Sequence, residues 1–190
     1  TFSDTHHWHE TCEHKTSENG YGEHTYNENK ECTVCGYQYV SAGLEYTLSG
    51  DSTYYSVTGI GTCTDTEIYI PATYQGIPVK EIGENAFYEN TTITGVALPD
   101  SITTISDSAF DGCTVLASIN LPEGLTTIEG MAFGSTANTS IVIPAGVQQI
   151  GDSAFVGCGK LKSVTIGQGS TLEIGDGVFG LCSSLESIVI

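Results

Sequence analysis

Apolar residues from Ile82 onward recur in one phrase: an Ile, four further residues, then a Phe. The copies are Ile82–Phe87, Ile105–Phe110, Ile128–Phe133, Ile150–Phe155 and Ile174–Phe179. Consecutive Phe residues lie 23, 23, 22 and 24 positions apart, and a small or branched residue precedes each of them. So short and regular a period predicts a solenoid, in which each coil buries its apolar side against the neighbouring coils.

A second pattern follows each Phe, in which apolar residues are spaced apolar-x-x-apolar-x-apolar. It covers residues 93–98, 116–121, 161–166 and 185–190. Strand alternation places Ile119 and Leu121 inward and leaves Ala117 and Asn120 largely outward. The pattern predicts parallel strands, one per coil, joined through short 3₁₀ or single α turns that carry the Phe inward.

The phrase Ala-Phe-x-x-Cys-x-x-Leu-x-x-Ile-x-Leu-Pro, read at residues 109–122, resembles the bacterial leucine-rich repeat of the BspA-like type. The resemblance covers about residues 57–190. It implies a leucine-rich-repeat solenoid, a β-rich α/β fold of about five to six coils. It also implies a secreted or surface-displayed, extracellular bacterial protein that serves adhesion and protein interaction.

One coil departs from the phrase, because residues 134–140 lack both the Cys and the Leu. We expect a looser stretch there.

Three cysteines, Cys113, Cys158 and Cys182, each follow a repeat Phe by three residues, and Cys63 has a similar place. They could form disulfides, hold a metal or fill a small apolar slot as free thiols. Only Cys158 and Cys182 lie in adjacent coils, about 4.8 Å apart by strand spacing. Stacked parallel side chains keep that spacing, which exceeds the Cβ separation of about 3.8 Å in a disulfide. Buried free thiols are therefore favoured.

Composition divides the chain into a polar head at residues 1–40 and the repeat body at 44–190, since all five His precede residue 25. The pair Cys32 and Cys35, followed by Gly, has the spacing of a zinc-ribbon knuckle. Cys12 and His24 complete a Cys₃His set, although His9 or His14 could replace either. The head resembles small Cys/His modules that accompany such repeats.

A structural zinc has a physical motive, because forty polar residues bury too little surface to fold unaided. Bound zinc supplies an apparent binding energy of about 10–16 kcal/mol. The alternatives are a metal-free or disordered head and a Cys32–Cys35 redox pair, and the redox pair lacks a thioredoxin-like setting.

Charge excludes several classes of function. Five Lys and no Arg oppose 23 acidic residues, and the net charge is −18. Such a surface repels phosphate backbones, so we expect no nucleic-acid partner. No apolar run approaches the length of about 20 residues that a membrane span needs. No nucleophile elbow, phosphate loop, zinc-protease motif or paired carboxylates indicate an enzyme.

The outward strand positions from Thr94 onward are mostly Ser, Thr and Ala, without an aromatic residue. Because sugar and protein contacts usually need aromatic anchors, we expect this face to bind weakly or with anchors from other coils. The expected partner is a protein on a host or neighbouring cell, with a structural spacer or an accessory repeat region of a longer surface protein or enzyme as the alternative. The chain starts at Thr1 and ends at Ile190 without a polar capping coil. We therefore expect a monomeric fragment of a longer chain.

Overall fold

The computed structural model describes residues 39–167 and 172–190, and the predicted metal ligands Cys12, His24, Cys32 and Cys35 lie outside them. The compact unit that contains the repeats runs from Gly43 to Ile190. Its strands are Glu45–Leu48 (β1), Tyr55–Gly59 (β2), Glu67–Tyr69 (β3), Thr73–Tyr74 (β4), Ile77–Ile82 (β5), Gly95–Ala97 (β6), Thr104–Ile105 (β7), Ser118–Ile119 (β8), Thr127–Ile128 (β9), Ser140–Ile143 (β10), Gln149–Ile150 (β11), Ser163–Ile166 (β12), Glu173–Ile174 (β13) and Ser187–Val189 (β14).

These strands wind into a β-solenoid, as the repeat period predicts. Each of five coils contains a first strand, a turn with the repeat Phe and a second strand: β5 and β6 in coil 1, β7 and β8 in coil 2, β9 and β10 in coil 3, β11 and β12 in coil 4, and β13 and β14 in coil 5. Before them, β2 and β3 form a coil without a Phe turn. The predicted number of coils, about five to six, is confirmed.

The first strands of all coils join one sheet, which we call the long sheet. Its order is β1-β2-β5-β7-β9-β11-β13, with β4 paired to β5. Parallel pairing aligns Ile82 with Ile105, then Ile128, Ile150 and Ile174. The first four of these side chains are buried, so one Ile per coil builds a continuous inward column.

The second strands form another surface, which we call the strand face. It consists of two separate parallel sheets, β3-β6-β8 and β10-β12-β14. Parallel register sets Glu67 beside Gly95 and Gly95 beside Ser118 in the first sheet. In the second sheet, Ser140 lies beside Ser163 and Ser163 beside Ser187.

The Phe turns contain no helix within the described residues, so the expected 3₁₀ or α geometry is absent while the inward direction of the Phe is confirmed. The cause lies in the backbone, because φ is positive two residues before and two residues after every Phe. These pairs are Asn85 and Glu89, Ser108 and Gly112, Met131 and Ser135, Ser153 and Gly157, and Gly177 and Leu181. A left-handed residue interrupts the run of right-handed residues that a helix requires.

Successive N–H groups in each turn therefore donate alternately to a carbonyl of the same turn and to a carbonyl of the next coil. In coil 1, the Ala86 N–H closes a turn onto Gly83 O at 3.1 Å, and the Phe87 N–H reaches Ala109 O of coil 2 at 2.9 Å. The same inter-coil bond joins Phe110 to Ala132 at 2.8 Å. The turns thus form a hydrogen-bonded ladder of their own along the solenoid axis.

The five Phe rings stack along this ladder. Neighbouring ring centroids lie 5.2, 5.4, 5.1 and 5.6 Å apart, with interplanar angles of 7, 9, 8 and 20°. Phe87, Phe110, Phe133 and Phe155 are fully buried. Repetition of one coil geometry places each ring nearly parallel to the next, and the column forms the centre of the core.

Coil 3 is shorter than its neighbours between its Phe and its second strand. The Lys162 N–H donates to Thr139 O at 2.9 Å, which sets Thr139 in register with Lys162. Thr139 is six residues from Phe133, whereas Lys162 is seven from Phe155. The register therefore puts Asn138 in the position that Leu161 holds in coil 4.

The expectation of a looser stretch at 134–140 needs a physical correction. Thr136, Ala137 and Asn138 are all buried, so the shortened stretch stays inside the coil. The missing residue instead affects strand pairing, since β8 and β10 do not pair with each other. The strand face is split here, between coils 2 and 3, at what we call the 2/3 junction.

An antiparallel hairpin, β1 with β2, covers the end of the core that precedes coil 1. Three tyrosines pack against the core there: the rings of Tyr46 and Tyr74 stack at 4.1 Å, and Tyr55 meets Tyr74 edge-on at 5.0 Å. Two strands and an aromatic cluster thus shield this end from water.

Candidate interaction surface

The strand face presents three columns of outward residues. The first contains Thr94, Ala117, Thr139, Lys162 and Glu186; the second contains Glu67, Gly95, Ser118, Ser140, Ser163 and Ser187; the third contains Tyr69, Ala97, Asn120, Val142, Thr165 and Val189. Between them, Ile68, Val96, Ile141 and Val164 point inward and are buried. The alternation that the sequence predicts is confirmed in β10 and β12, whereas all three residues of β14 are exposed.

Few of the outward positions carry charge. Glu67, Lys162 and Glu186 are the charged members of the three columns. The acidic residues instead crowd the edge of the Phe turns, where Asp107 and Asp152 are exposed. The strand face is therefore close to neutral although the whole chain carries a net charge of −18.

Tyr69 adds an aromatic side chain to the strand face ahead of the outward positions from Thr94 onward, which themselves have none. It lies on β3, which pairs with β6 and so belongs to the strand face. Its hydroxyl donates to Glu67 Oε2 at 3.1 Å, and burial, followed by the Glu67 and Asp65 carboxylates, raises the pKa of this phenol. The sequence signal was the segment Ile68-Tyr69-Ile70-Pro71, whose register as a strand of the same face identifies Tyr69 as outward.

Asn120 is exposed but serves the backbone. Its Oδ1 accepts from the Leu98 N–H, and its Nδ2 donates to Leu98 O, both at 2.9 Å. The side chain thereby replaces a backbone partner at the point where β8 ends, so it is not free to contact a ligand. Val142 and Val189, which are 64% and 57% exposed, are the large apolar side chains of the third column.

The repeat cysteines Cys113, Cys158 and Cys182 are free thiols, as the sequence favoured. The Sγ atoms of Cys113, Cys158 and Cys182 donate to the carbonyl oxygens of Phe87, Phe133 and Phe155 at 3.0, 3.0 and 3.1 Å. Each thiol thus links its coil to the preceding one. Burial raises the pKa of the Cys113 thiol to about 11, which keeps it protonated at neutral pH.

No group of three or more His, Cys, Asp or Glu side chains is arranged to hold a metal within residues 39–167 and 172–190. In the same residues, no helix has the length and apolarity that crossing a bilayer requires. The predicted ligands Cys12, His24, Cys32 and Cys35 fall outside this part of the chain, and the zinc site stays a prediction.

Coils of one short period, a stacked Phe column and two parallel strands per coil define a leucine-rich-repeat type of β-solenoid. Residues 80–190 match the model of the BspA type leucine rich repeat region, in six copies. The match spans more than half of the chain, and the chain belongs to this family. No curated protein matches it.

Solved structures agree with this assignment. The Treponema pallidum leucine-rich repeat protein TpLRR is 28% identical, with 75% of this chain and 88% of that chain covered and a TM-score of 0.55. A leucine-rich repeat protein from Bacteroides capillosus is 30% identical, with 65% and 94% covered and a TM-score of 0.56. The pneumococcal vaccine antigen PcpA is 26% identical, with 74% and 34% covered and a TM-score of 0.60.

Proposed function

We propose that this chain is a non-catalytic, secreted or cell-surface bacterial protein whose strand face binds a protein on a host or neighbouring cell. The observation that carries the proposal is the contrast in charge between the two surfaces. The strand face is nearly neutral, whereas acidic residues line the Phe turns of a chain with net charge −18.

The low charge of the strand face suits a protein interface, because charged residues are depleted from the buried centres of interfaces and aromatic residues are enriched there. Desolvating Ser, Thr and Val side chains costs less than desolvating carboxylates without a partner. Tyr69 supplies an aromatic side chain, and Val142 in coil 3 and Val189 in coil 5 supply exposed apolar area. These three residues are the proposed anchors of the contact.

The proposed location at the cell surface or outside the cell rests on relatives. The chain belongs to the BspA type of leucine-rich repeat. One similar structure is that of a pneumococcal vaccine antigen. Both are compatible with a protein that meets other cells.

A structural spacer or an accessory repeat region is the second candidate. The chain spans 34% of the length of PcpA and 47% of that of a Bacteroides ovatus leucine-rich repeat protein. Repeats of this kind can thus form part of a longer protein, in which they would hold another domain at a distance. A spacer would be indifferent to substitutions on the strand face.

A negative charge introduced at matched positions on the two surfaces tests the binding proposal. Beads are coated with the wild-type protein, with Val142→Glu or with Gln149→Glu. They are presented to epithelial and bacterial cell layers, and the attached beads are counted. Both positions are exposed strand residues of coils 3 and 4, but Val142 lies on the strand face and Gln149 on the long sheet. We expect Val142→Glu to lower attachment about tenfold, the equivalent of 1.4 kcal/mol, with Gln149→Glu unchanged. No attachment by the wild type, or equal attachment by both variants, would favour the spacer.

A structural zinc bound by Cys12, His24, Cys32 and Cys35 is proposed for the head on the spacing of its ligands. Four protein ligands would leave no open coordination position, so the ion would be structural. Elemental analysis of chelator-free protein should find about one zinc per chain, and Cys35→Ser should lose it. Metal-free wild-type protein would contradict the site.

A further inference from the structure

The 2/3 junction joins coils 2 and 3 through fewer bonds on the strand face than its neighbours do. At the equivalent places, the Ala117 N–H donates to Thr94 O at 3.0 Å and the Lys162 N–H to Thr139 O at 2.9 Å, and paired strands follow each bond. At the 2/3 junction, the Ala137 N–H donates to Leu116 O at 2.9 Å, one residue out of register, and no strand pair follows.

The bond that the cysteine column makes between coils is also missing at this junction, although Thr126 Oγ1 still donates to Thr103 O at 2.9 Å beside the long sheet. Cys113, Cys158 and Cys182 donate to the Phe carbonyl of the preceding coil. In coil 3, Thr136 stands in the Cys position, and its hydroxyl donates to Phe133 O of its own coil at 3.1 Å. The thiol-type bond that ties the other coils together is therefore not made from coil 3 to coil 2.

A third weakness lies inside the same junction. Asn138 is 2% exposed and occupies the column of Leu116 and Leu161, both fully buried. Its Oδ1 has no hydrogen-bond partner. A buried amide oxygen without a partner disfavours the closed arrangement, because water would satisfy that oxygen if the junction opened.

The opposite side of the same junction is intact. In the Phe turns, the N–H groups of Ser108, Phe110 and Gly112 donate to coil 3 at 3.0, 2.8 and 3.0 Å. In the long sheet, Thr104 pairs with Thr127 and Ile105 with Ile128. The rings of Phe110 and Phe133 stack at 5.4 Å, as at the other junctions.

We propose that the 2/3 junction is a hinge: the strand face opens and closes between β8 and β10, while the long sheet and the Phe turns act as the pivot. Opening changes the separation between the outward residues of coils 1 and 2 and those of coils 3 to 5. The curvature of the strand face is thereby adjustable at one place. This inference stands without the binding function proposed above, because it rests on bonds within the solenoid.

Amide hydrogen exchange of the wild-type protein, resolved by residue, tests the hinge. We expect the Ala137 amide to have a protection factor about tenfold or more below those of Ala117 and Lys162, since local opening sets exchange. The turn amides Phe110 and Phe133, bonded at 2.8 Å across the 2/3 and 3/4 junctions, should be protected equally. Equal protection of Ala137 and Lys162 would overturn the hinge, and so would a Phe110 amide as unprotected as Ala137, because the whole junction would then separate.

The variant Asn138→Leu assigns the cause. It removes the unpartnered oxygen and restores the apolar column, so we expect the protection factor of Ala137 to rise about tenfold towards that of Lys162, with Phe110 unchanged. An unchanged factor at Ala137 would overturn the role of Asn138 in loosening the junction.

Discussion

The Phe turns and the strand face of coil 3 accommodate the same missing residue in opposite ways. In the turns, the ring stack and the inter-coil hydrogen bonds continue through Phe133 with the spacing of every other coil. On the strand face, the sheet divides and Asn138 takes a Leu position without a partner for its oxygen. The residue is lost between the Phe and the strand, so the turns before the loss keep their register.

This contrast teaches where a solenoid tolerates irregularity. The Phe turn is fixed on both sides by left-handed residues and by bonds to both neighbouring coils, so it is over-determined. The second strand is short, and the missing residue shifts it out of register with the preceding coil, so β8 and β10 do not pair.

Truncation of a ring in the Phe column should cause the greatest loss of stability. Phe133→Ala removes a fully buried ring that stacks on Phe110 at 5.4 Å and on Phe155 at 5.1 Å. We expect a loss of about 3–5 kcal/mol in the free energy of unfolding, measured by denaturant titration. Phe179→Ala is the matched control, because that ring is only partly buried and stacks on one described ring, Phe155. Equal losses in the two variants would contradict a continuous column through coil 3.

Substitutions in the buried column of Asn138 and Leu161 should change the free energy of unfolding by a smaller amount. Asn138→Leu should raise the free energy of unfolding by about 1–3 kcal/mol, because it removes a buried oxygen that has no partner. Leu161→Asn makes the opposite change in the same column of coil 4 and should destabilise by about 2 kcal/mol or more. A loss of stability in Asn138→Leu would contradict this expectation, because it would show that the Asn138 side chain stabilises coil 3.

Thiol reactivity compares buried and partly buried members of the cysteine column. Burial raises the pKa of Cys113 from 9.0 to about 11, which lowers its thiolate fraction at pH 8 about hundredfold. Cys182 is less buried than Cys113. Alkylation followed by peptide mass spectrometry should therefore modify Cys182 well before Cys113 in folded protein. Equal rates would show that the column is open to solvent.

The smallest changes in stability are expected from two carboxylates, Asp111 and Asp51, whose pKa values shift in opposite directions. Burial, with the Glu89 and Asp107 charges added to it, raises the pKa of Asp111. Hydrogen bonds from Ser49 and Thr53 lower the pKa of Asp51 in the β1–β2 turn.

The signs of the pH dependence follow by linkage. A raised folded-state pKa means that the charged Asp111 destabilises at pH 7, and that this penalty disappears as the pH falls through the folded and then the unfolded pKa. The stabilisation from Asp51 is present above its unfolded pKa and is lost as the pH falls through its lower folded value. Thermal melts should show a slight gain for Asp111→Asn and a slight loss for Asp51→Asn at pH 7, with both differences vanishing in acid. A gain for both would mean that only total charge matters.

Sequence reasoning identified the solenoid because the Ile and Phe positions repeat at the period of the coils. It also identified the inward and outward alternation of the second strands, since period-two patterning survives in residues 116–121 and 161–166. The left-handed residues in the turns were harder to find. Gly112, Gly157 and Gly177 are compatible with positive φ, but Met131 and Leu181 hold the same conformation without any local signal.

Two other features depend on contacts between coils. The side chain of Asn120 bonds to Leu98, a partner 22 residues away, which no local pattern indicates. The tyrosine cluster at Tyr46, Tyr55 and Tyr74 arises only when the β1–β2 hairpin and β4 meet at one end of the core. The position of Tyr69 on the strand face was accessible in principle, from the Ile-Pro ending that its strand shares with later coils.

Hydrogen bonds across the junctions can be observed directly through scalar couplings between amide nitrogens and carbonyl carbons in NMR spectra. We predict couplings at all four junctions, from the amide nitrogens of Phe87, Phe110, Phe133 and Phe155 to carbonyl carbons of the next coil. On the strand face we predict couplings for Ala117 to Thr94 and for Lys162 to Thr139, with Thr139 uncoupled to coil 2. A coupling from the Thr139 nitrogen to the Leu116 or Ala117 carbonyl, or a missing coupling from Phe110 to Ala132, would contradict a split strand face beside an unbroken turn column.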